Sequence, residues 1–319
     1  MIRRLGAIDI GSNTIKLLIA DTDGQTVEPV CQQSIQTRLG SGIEKGSQLS
    51  QSAMERTRST IFDYVAIGKQ MSVESLIGNA TSAVRDARNG QQFVQQLEKE
   101  TGISISVITG EKEASLIFQG ITSTQGHQSD CQVILDVGGG STEIIVSGNQ
   151  DIRHQQSFNV GSVRLLEEAR LRDPLCQRQL ESFKKLLATR YLDLTEAIIA
   201  NTDATTPFRL MAAGGGAVLA SMLLRETEQF DPKSIELTPL ERTDLQALNE
   251  RLWSTSLSAR KGWPGMPEER ADIVPIGTAI LSHLLSSLNQ DHLWVSTRGL
   301  RFGLLRQFYH ETARQENPN

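Results

Sequence analysis

Val133-Ile-Leu-Asp-Val-Gly-Gly-Gly-Ser-Thr-Glu-Ile-Ile-Val146 is the stretch on which the reading of the chain turns. Two short apolar runs, Val133 to Asp136 and Ile144 to Val146, flank three glycines, two hydroxyls and Glu143. Runs of that β-branched composition read as buried strands. Gly138, Gly139 and Gly140 put no side chains between the strands, so bare N–H groups can close on an anion as in a phosphate nest. Ser141 and Thr142 can add hydroxyl donors, while Asp136 and Glu143 are hard oxygen ligands of the kind that suits Mg²⁺. A tight hairpin with no ligand has the same pattern, and this stretch alone leaves both readings open.

The pattern recurs near the N-terminus, in Leu5-Gly-Ala-Ile-Asp-Ile-Gly-Ser-Asn-Thr-Ile-Lys-Leu-Leu-Ile-Ala-Asp21. Aligning Asp9 with Asp136 puts Gly11 on Gly138 and Ile15 to Ile19 on the second apolar run, 127 positions away. A repeat at that separation indicates a duplicated domain and not a solenoid unit. A third glycine run, Leu210-Met-Ala-Ala-Gly-Gly-Gly-Ala-Val-Leu-Ala220, follows a strand-like segment and opens an apolar helix.

Two Asp-x-Gly hairpins and a later Gly-Gly turn resemble the actin/hexokinase/heat-shock ATPase superfamily. Within it, the exopolyphosphatase/guanosine pentaphosphate phosphohydrolase (Ppx/GppA) family is the closer resemblance. It is carried by Ala7-Ile-Asp-Ile-Gly-Ser-Asn-Thr14, Asn79-Ala-Thr-Ser-Ala-Val-Arg-Asp-Ala87 and Gly110-Glu-Lys-Glu-Ala-Ser-Leu-Ile-Phe118. Asp136-Val-Gly-Gly-Gly-Ser-Thr-Glu143, Arg270-Ala-Asp-Ile-Val-Pro-Ile-Gly277 and Gly299-Leu-Arg-Phe-Gly-Leu-Leu305 complete the set, in family order. The resemblance implies an α/β fold of duplicated ribonuclease H-like (actin-like ATPase) domains with an interdomain active-site cleft. Residues 1–124 with 300–319 would form domain I and residues 125–299 domain II. Longer family members carry a further C-terminal helical domain, which would begin about where this chain ends.

At 319 residues the chain is long enough for two ordinary cores. A formal charge of −5 argues against a general nucleic-acid binder and means that a polyanion must be met by local positive charge. Three widely spaced cysteines, with no C-x-x-C, fit a reduced compartment. The start has no long apolar segment, and no run of about 18 apolar residues occurs, so a cytoplasmic protein with no membrane contact is expected. The five histidines show no paired metal spacing, and none is assigned to chemistry.

Apolar periodicity predicts strands at 5–10, 15–21 and 27–37, then a helix capped by Ser50 and running to about Gln70. A strand at 74–78, a helix at 90–100 and a strand at 103–108 follow, with 81–85 a loop or short helix. Ala114, Ile117, Phe118 and Ile121 sit at helical spacing, so Gly110 to Thr122 is an amphipathic helix. Glu111 and Glu113 both lie in its first turn, where the helix dipole favours carboxylates. That accounts for Glu111. Glu113 lies beside the apolar stripe, where desolvation would favour a useful base. The polar segment Ser123 to Asp130 is the expected hinge. In the second half a single helix is predicted over 177–200, a helix over 238–253 with Glu241 at its capping-box position, and a largely helical 268–288. A last helix is expected from Leu300 to about Tyr309, packed on the N-terminal domain, and the tail from Thr312 reads as disordered.

The resemblance places the catalytic glutamate on Glu113 and a phosphate-contacting arginine on Arg85. By sequence alone Arg85 would be a surface residue with Asp86 or Asp21 as partner. Gly11, Ser12, Asn13, Thr14, Gly138, Gly139, Gly140, Ser141 and Thr142 become the phosphate-binding set. Mg²⁺ or Mn²⁺ would lie near Asp136, with Asp9 and Glu143 as direct or water-mediated ligands. Lys16 is either a phosphate contact or a solvated strand residue. The implied activity is release of terminal phosphate from polyphosphate, leaning to short chains, or from guanosine pentaphosphate, with room for a homodimer. An ATP-dependent kinase using Gly214 to Gly216 for adenosine, and a nonenzymatic nucleotide-gated regulator, are the competing readings.

Overall fold

The computed structural model describes residues 1–43, 47–123, 131–149, 151–173, 175–203 and 207–316. It divides into two compact units, Met1–Gln128 with Arg298–Asn319, and Ser129–Thr297.

The first unit opens with β1 (Arg3–Ile10), β2 (Thr14–Thr22) and β3 (Val27–Gln36), followed by α1 (Gln51–Gln70), β4 (Ser75–Ala80) and α2 (Ser82–Asp86). It continues through α3 (Gly90–Thr101), β5 (Ser104–Val107) and α4 (Gly110–Ile121). In the second unit come β6 (Cys131–Val137), β7 (Thr142–Gly148), β8 (Asp151–Phe158), α5 (Ser162–Ala169), α6 (Gln177–Arg190) and α7 (Leu192–Asn201). Then follow β9 (Arg209–Ala213), α8 (Gly215–Leu224), α9 (Pro232–Ile235), β10 (Pro239–Glu241) and α10 (Arg242–Ser254). α11 (Leu257–Arg260), α12 (Val274–Ser287) and β11 (His292–Val295) close it, and α13 (Leu300–Glu316) returns to the first unit.

The two sheets repeat one plan. The first has the order β3-β2-β1-β4-β5, the second β8-β7-β6-β9-β11-β10. In each, three antiparallel strands come first, and two later strands add in parallel beyond the first. Even the irregularities correspond: the ladder shifts between Ile19 and Ala20 in one unit and between Val146 and Ser147 in the other. A bulge preserved at the aligned position marks the same bend in both meanders. The duplicated α/β fold expected from the two Asp-x-Gly hairpins is therefore present.

One face of the first sheet packs Ile8, Ile10, Ile15 and Leu17 against Ile61 and Tyr64 of α1 and Phe93 of α3. The other packs Leu5, Ala7, Leu18 and Ala20 against Phe302 and Leu305 of α13. α13 also meets α4 backbone to backbone. A Cβ placed on Gly303 would lie 1.9 Å from the Leu116 carbonyl oxygen, so only glycine allows this approach. The second sheet is buried around Val133, Leu135, Ile144 and Val146, with α8 and α12 contributing Ala220, Ile280 and Leu284.

Several local expectations are corrected. The helix predicted over 177–200 breaks into α6 and α7 at Tyr191, whose side chain is driven fully into the core. The capping box at Glu241 does not form. Pro239–Glu241 is an edge strand paired with His292 to Trp294, where proline is tolerated, and α10 begins at Arg242. The 268–288 segment is a 3₁₀ turn at Glu268–Arg270 and then α12, with Pro275 in its first turn. The tail is helical to Glu316, held partly by Arg3 Nη1 donating to Thr312 Oγ1 at 2.8 Å. The expected hinge, from residue 124 to Asp130, lies outside the described residues.

Candidate active site

Each Asp-x-Gly turn is closed by the same bond. Gly11 N donates to Thr14 O at 3.2 Å, and Gly138 N donates to Ser141 O at 2.9 Å. Neighbouring segments then tie down the turn carbonyls. Ser12 O accepts from Gly40 N at 2.7 Å, and Asn13 O from Thr37 N and Arg38 N at 3.1 and 3.0 Å. In the second unit Gly138 O accepts from Ser162 N at 3.0 Å and Gly139 O from Val163 N at 2.9 Å. Arg164 Nε donates to Gly140 O at 2.6 Å. Among the described residues the N–H groups of Ser12, Asn13, Gly139 and Gly140 make no hydrogen bond. Turns with carbonyls engaged and N–H groups left over are suited to anions.

The side chains of these turns are less uniform than the sequence implied. Asn13 Oδ1 accepts from Gln36 Nε2 at 3.0 Å, and Ser12 and Thr14 are buried. Thr142 corrects the expectation of a hydroxyl aimed at phosphate. It is fully buried, donates to Val160 O at 2.6 Å and meets the Tyr191 hydroxyl at 3.0 Å. Burial pushes the Tyr191 phenol above its ordinary range, so that partner stays protonated.

The aligned carboxylates stand opposite different partners. Asp9 pairs in register with Lys16, whose Nζ is 3.9 Å from Asp9 Oδ2. Lys16 thus has an ion-pair role that neither reading of the sequence included. Burial pushes the Asp9 carboxyl up, against the opposing pull of Lys16 and Arg301. At the matching position of the second unit Asp136 faces Glu143, a carboxylate in place of the lysine. Glu143 is buried and one of its oxygens accepts from Ser157 Oγ at 2.7 Å. Gly214, at φ +89°, lets the chain pass Asp136, since a Cβ there would sit 2.5 Å from Asp136 Oδ1. Like charges directly opposite on a strand pair repel, which a divalent cation relieves. Among the described residues no three His, Cys, Asp or Glu side chains are grouped to hold a metal. Two carboxylates still fit Mg²⁺, which takes one or two and fills its remaining positions with water and phosphate.

The acid and the arginine come together in the first unit. Thr109 caps α4 by accepting from Lys112 N at 3.2 Å, which sets the first turn. From that turn Glu113 points inward, 7% exposed, and Glu111 outward. The N–H groups of the helix start, chiefly its own, and the Thr109 hydroxyl hold Glu111 below the usual carboxylate range. Arg85, at the end of α2, donates through Nη1 to Glu113 Oε2 at 3.1 Å and to Ile108 O at 2.9 Å. Its partner is therefore Glu113. Asp21 is held by Arg4, at 2.7 and 2.9 Å. Arg85 Nε and Nη2 make no hydrogen bond among the described residues.

Two further residues were missed. Asn79 lies in register between Asp9 and Ser106, is 3% exposed, and its buried Nδ2 has no partner. Its signals were a polar residue inside the apolar run Ser75-Leu-Ile-Gly-Asn-Ala80 and a place at the head of the motif Asn79 to Ala87, where it was given no role. Arg301 of α13 donates to Leu17 O at 2.5 Å and to Gln32 Oε1 at 3.3 Å, and its charge acts on Asp9. It stood in a quoted motif without a role. Among the described residues no helix is long and apolar enough to cross a membrane.

The chain is similar to known proteins. The family described as "Ppx/GppA phosphatase family" matches residues 18–311. Exopolyphosphatase 2 of Mycobacterium tuberculosis is 29% identical over 94% of this chain and 97% of its own length. A guanosine-5'-triphosphate,3'-diphosphate pyrophosphatase of Pseudoalteromonas translucida is 28% identical over 93% of this chain but 58% of its own length. Another curated relative is matched over 44% of its length. The crystal structure of an exopolyphosphatase from Cytophaga hutchinsonii superposes with a TM-score of 0.86 at 28% identity, covering 97% of this chain and 98% of that one.

Proposed function

The chain belongs to the Ppx/GppA phosphatase family, and on that premise we propose that it hydrolyses phosphoanhydrides, releasing terminal phosphate from inorganic polyphosphate. The observation that carries this reading is the Glu113–Arg85 pair, a buried carboxylate held by one guanidinium nitrogen while the others stay available. Hydrolysis needs a positioned water, a group to take its proton and positive charge on the phosphate. Arg85 offers Nε and Nη2 to the phosphate oxygens as a charge-assisted fork. Glu113 accepts the proton of the attacking water as oxygen bonds to the terminal phosphorus and the bridging P–O bond breaks. The leaving group is the chain shortened by one phosphate. The turns at Gly11 to Asn13 and at Gly138 to Ser141 each present N–H groups to phosphate oxygens.

Asp136 and Glu143 are the residues we assign to Mg²⁺ or Mn²⁺, which would supply charge neutralisation on the phosphates. Asp9, already paired with Lys16, acts in this reading on the first turn or through water. Among the described residues Cys31, Cys131 and Cys176 form no disulfide, and we read the chain as cytoplasmic.

Guanosine pentaphosphate is the second reading, favoured by the name of the Pseudoalteromonas relative. Polyphosphate stands first because Exopolyphosphatase 2 and the Cytophaga protein match this chain over nearly their whole lengths. Short polyphosphate, long polyphosphate and guanosine pentaphosphate should be compared side by side for phosphate release without an acceptor. The highest kcat/KM on polyphosphate is expected. No phosphate from any of the three, with transfer to an added acceptor, would replace the hydrolase by a kinase.

A further inference from the structure

The second unit holds a cavity of about 520 Å³ between α6, α10 and α12. It shares no lining residue with either Asp-x-Gly turn. Its floor is apolar and aromatic: Phe183 and Trp253 stand with ring centroids 5.5 Å apart, beside Ala279. Volume and lining are those of a small-molecule site. Three polar groups lack partners. Lys184 on α6 and Glu250 on α10 both line the cavity, yet neither side chain makes an ion pair or hydrogen bond among the described residues. Asn249 donates through Nδ2 to Thr278 O at 3.3 Å, but its Oδ1 is buried with no donor. A buried acceptor without a donor carries a desolvation cost, which marks the wall of this cavity as polar and unsatisfied.

One cation and one anion, both exposed and not paired with each other, argue against a polyphosphate, which would meet Glu250 as a repulsive charge. They suit a small molecule carrying both signs. We propose that this cavity binds a free amino acid with an apolar or aromatic side chain. Its ammonium donates to Glu250, exposed on α10. Its carboxylate accepts from Lys184, and its side chain lies on Phe183, Trp253 and Ala279. The site is separate from the hydrolytic one and stands or falls without it.

The test is calorimetric titration of the full chain with free leucine, isoleucine, methionine, phenylalanine and tryptophan, and with N-acetyl and amide derivatives of each. Saturable binding by at least one free amino acid, lost when either end is blocked, is expected. Glu250→Gln and Lys184→Gln should each weaken that binding at least tenfold and leave phosphate release unchanged. Ala279→Phe should abolish it by filling the floor. Because Ala279 is in the core and that variant could unfold, the two surface variants decide if its circular dichroism is lost. Binding by none of the free amino acids, equal binding of the blocked forms, or binding indifferent to both charge changes would overturn the assignment.

Discussion

Arg85 Nη1 donates at once to Glu113 Oε2, 3.1 Å away, and to the Ile108 carbonyl, 2.9 Å away. A single nitrogen on α2 thereby fixes the acid on α4 against the end of β5. The other two guanidinium nitrogens, Nε and Nη2, make no hydrogen bond among the described residues. In the proposed reaction a phosphate on this arginine would lie next to Glu113.

Glu113→Gln should lose about 10²- to 10⁴-fold in rate, roughly 3 to 5.5 kcal/mol of barrier, and keep its fold and affinity. The amide preserves size and helix position but accepts no proton at neutral pH. Glu111→Gln, in the same helical turn but facing solvent, is the control and should change activity by no more than about two- to threefold. A dead Glu111 variant beside an active Glu113 variant would show that the wrong acid has been assigned.

Activity should require Mg²⁺ or Mn²⁺ and vanish in excess chelator, because phosphate beside Asp136 and Glu143 is repulsive without a cation. Asp136→Asn should raise the metal concentration needed for half-maximal rate more than Asp9→Asn does, since Asp9 is already balanced by Lys16. Full turnover in chelator would count decisively against this role.

Thr142→Val should lower stability by about 1 to 3 kcal/mol, since it strips a partner from the Val160 carbonyl and from the buried Tyr191 hydroxyl. KM for polyphosphate should stay within about twofold. Urea unfolding and steady-state kinetics on one preparation separate the outcomes. A tenfold rise in KM with unchanged stability would restore this hydroxyl to the substrate.

Asp9 predicts a pH effect of definite sign. Desolvation raises its carboxyl above the ordinary Asp value, so the folded chain holds that proton more tightly than the unfolded chain. Stability contributed by this group falls as pH rises from the ordinary Asp range through the raised value, and is constant above it. Asp9→Asn should accordingly unfold at higher urea than the parent at pH 7, with the gap closing as pH drops from the raised value to the ordinary Asp range. A variant less stable at pH 7 would mean that the Lys16 and Arg301 attractions outweigh burial.

Much of the fold was legible because its signals are local. The two glycine turns joined β-branched runs, Ser50 capped its helix, and the repeat between Asp9 and Asp136 foretold two sheets of one plan. The break at Tyr191 was not legible, because helical periodicity continues across it and only the core decides that the ring turns inward. Pro239 read as the start of a helix because its strand partners, His292 to Trp294, lie some fifty residues away.

The candidate site divides along the same line. Sequence by itself determined the residue types: glycine-rich turns between strands, a glutamate in the first turn of an amphipathic helix, an arginine in a polar motif. Tertiary structure alone decided which of them meet. It paired Arg85 with Glu113 across 28 positions, turned Thr142 into the core, and set the missed Asn79 beside Asp9. Backbone propensity and periodicity act over a few residues, whereas ion pairing and burial depend on distance in space. That distance is settled only when separate elements pack.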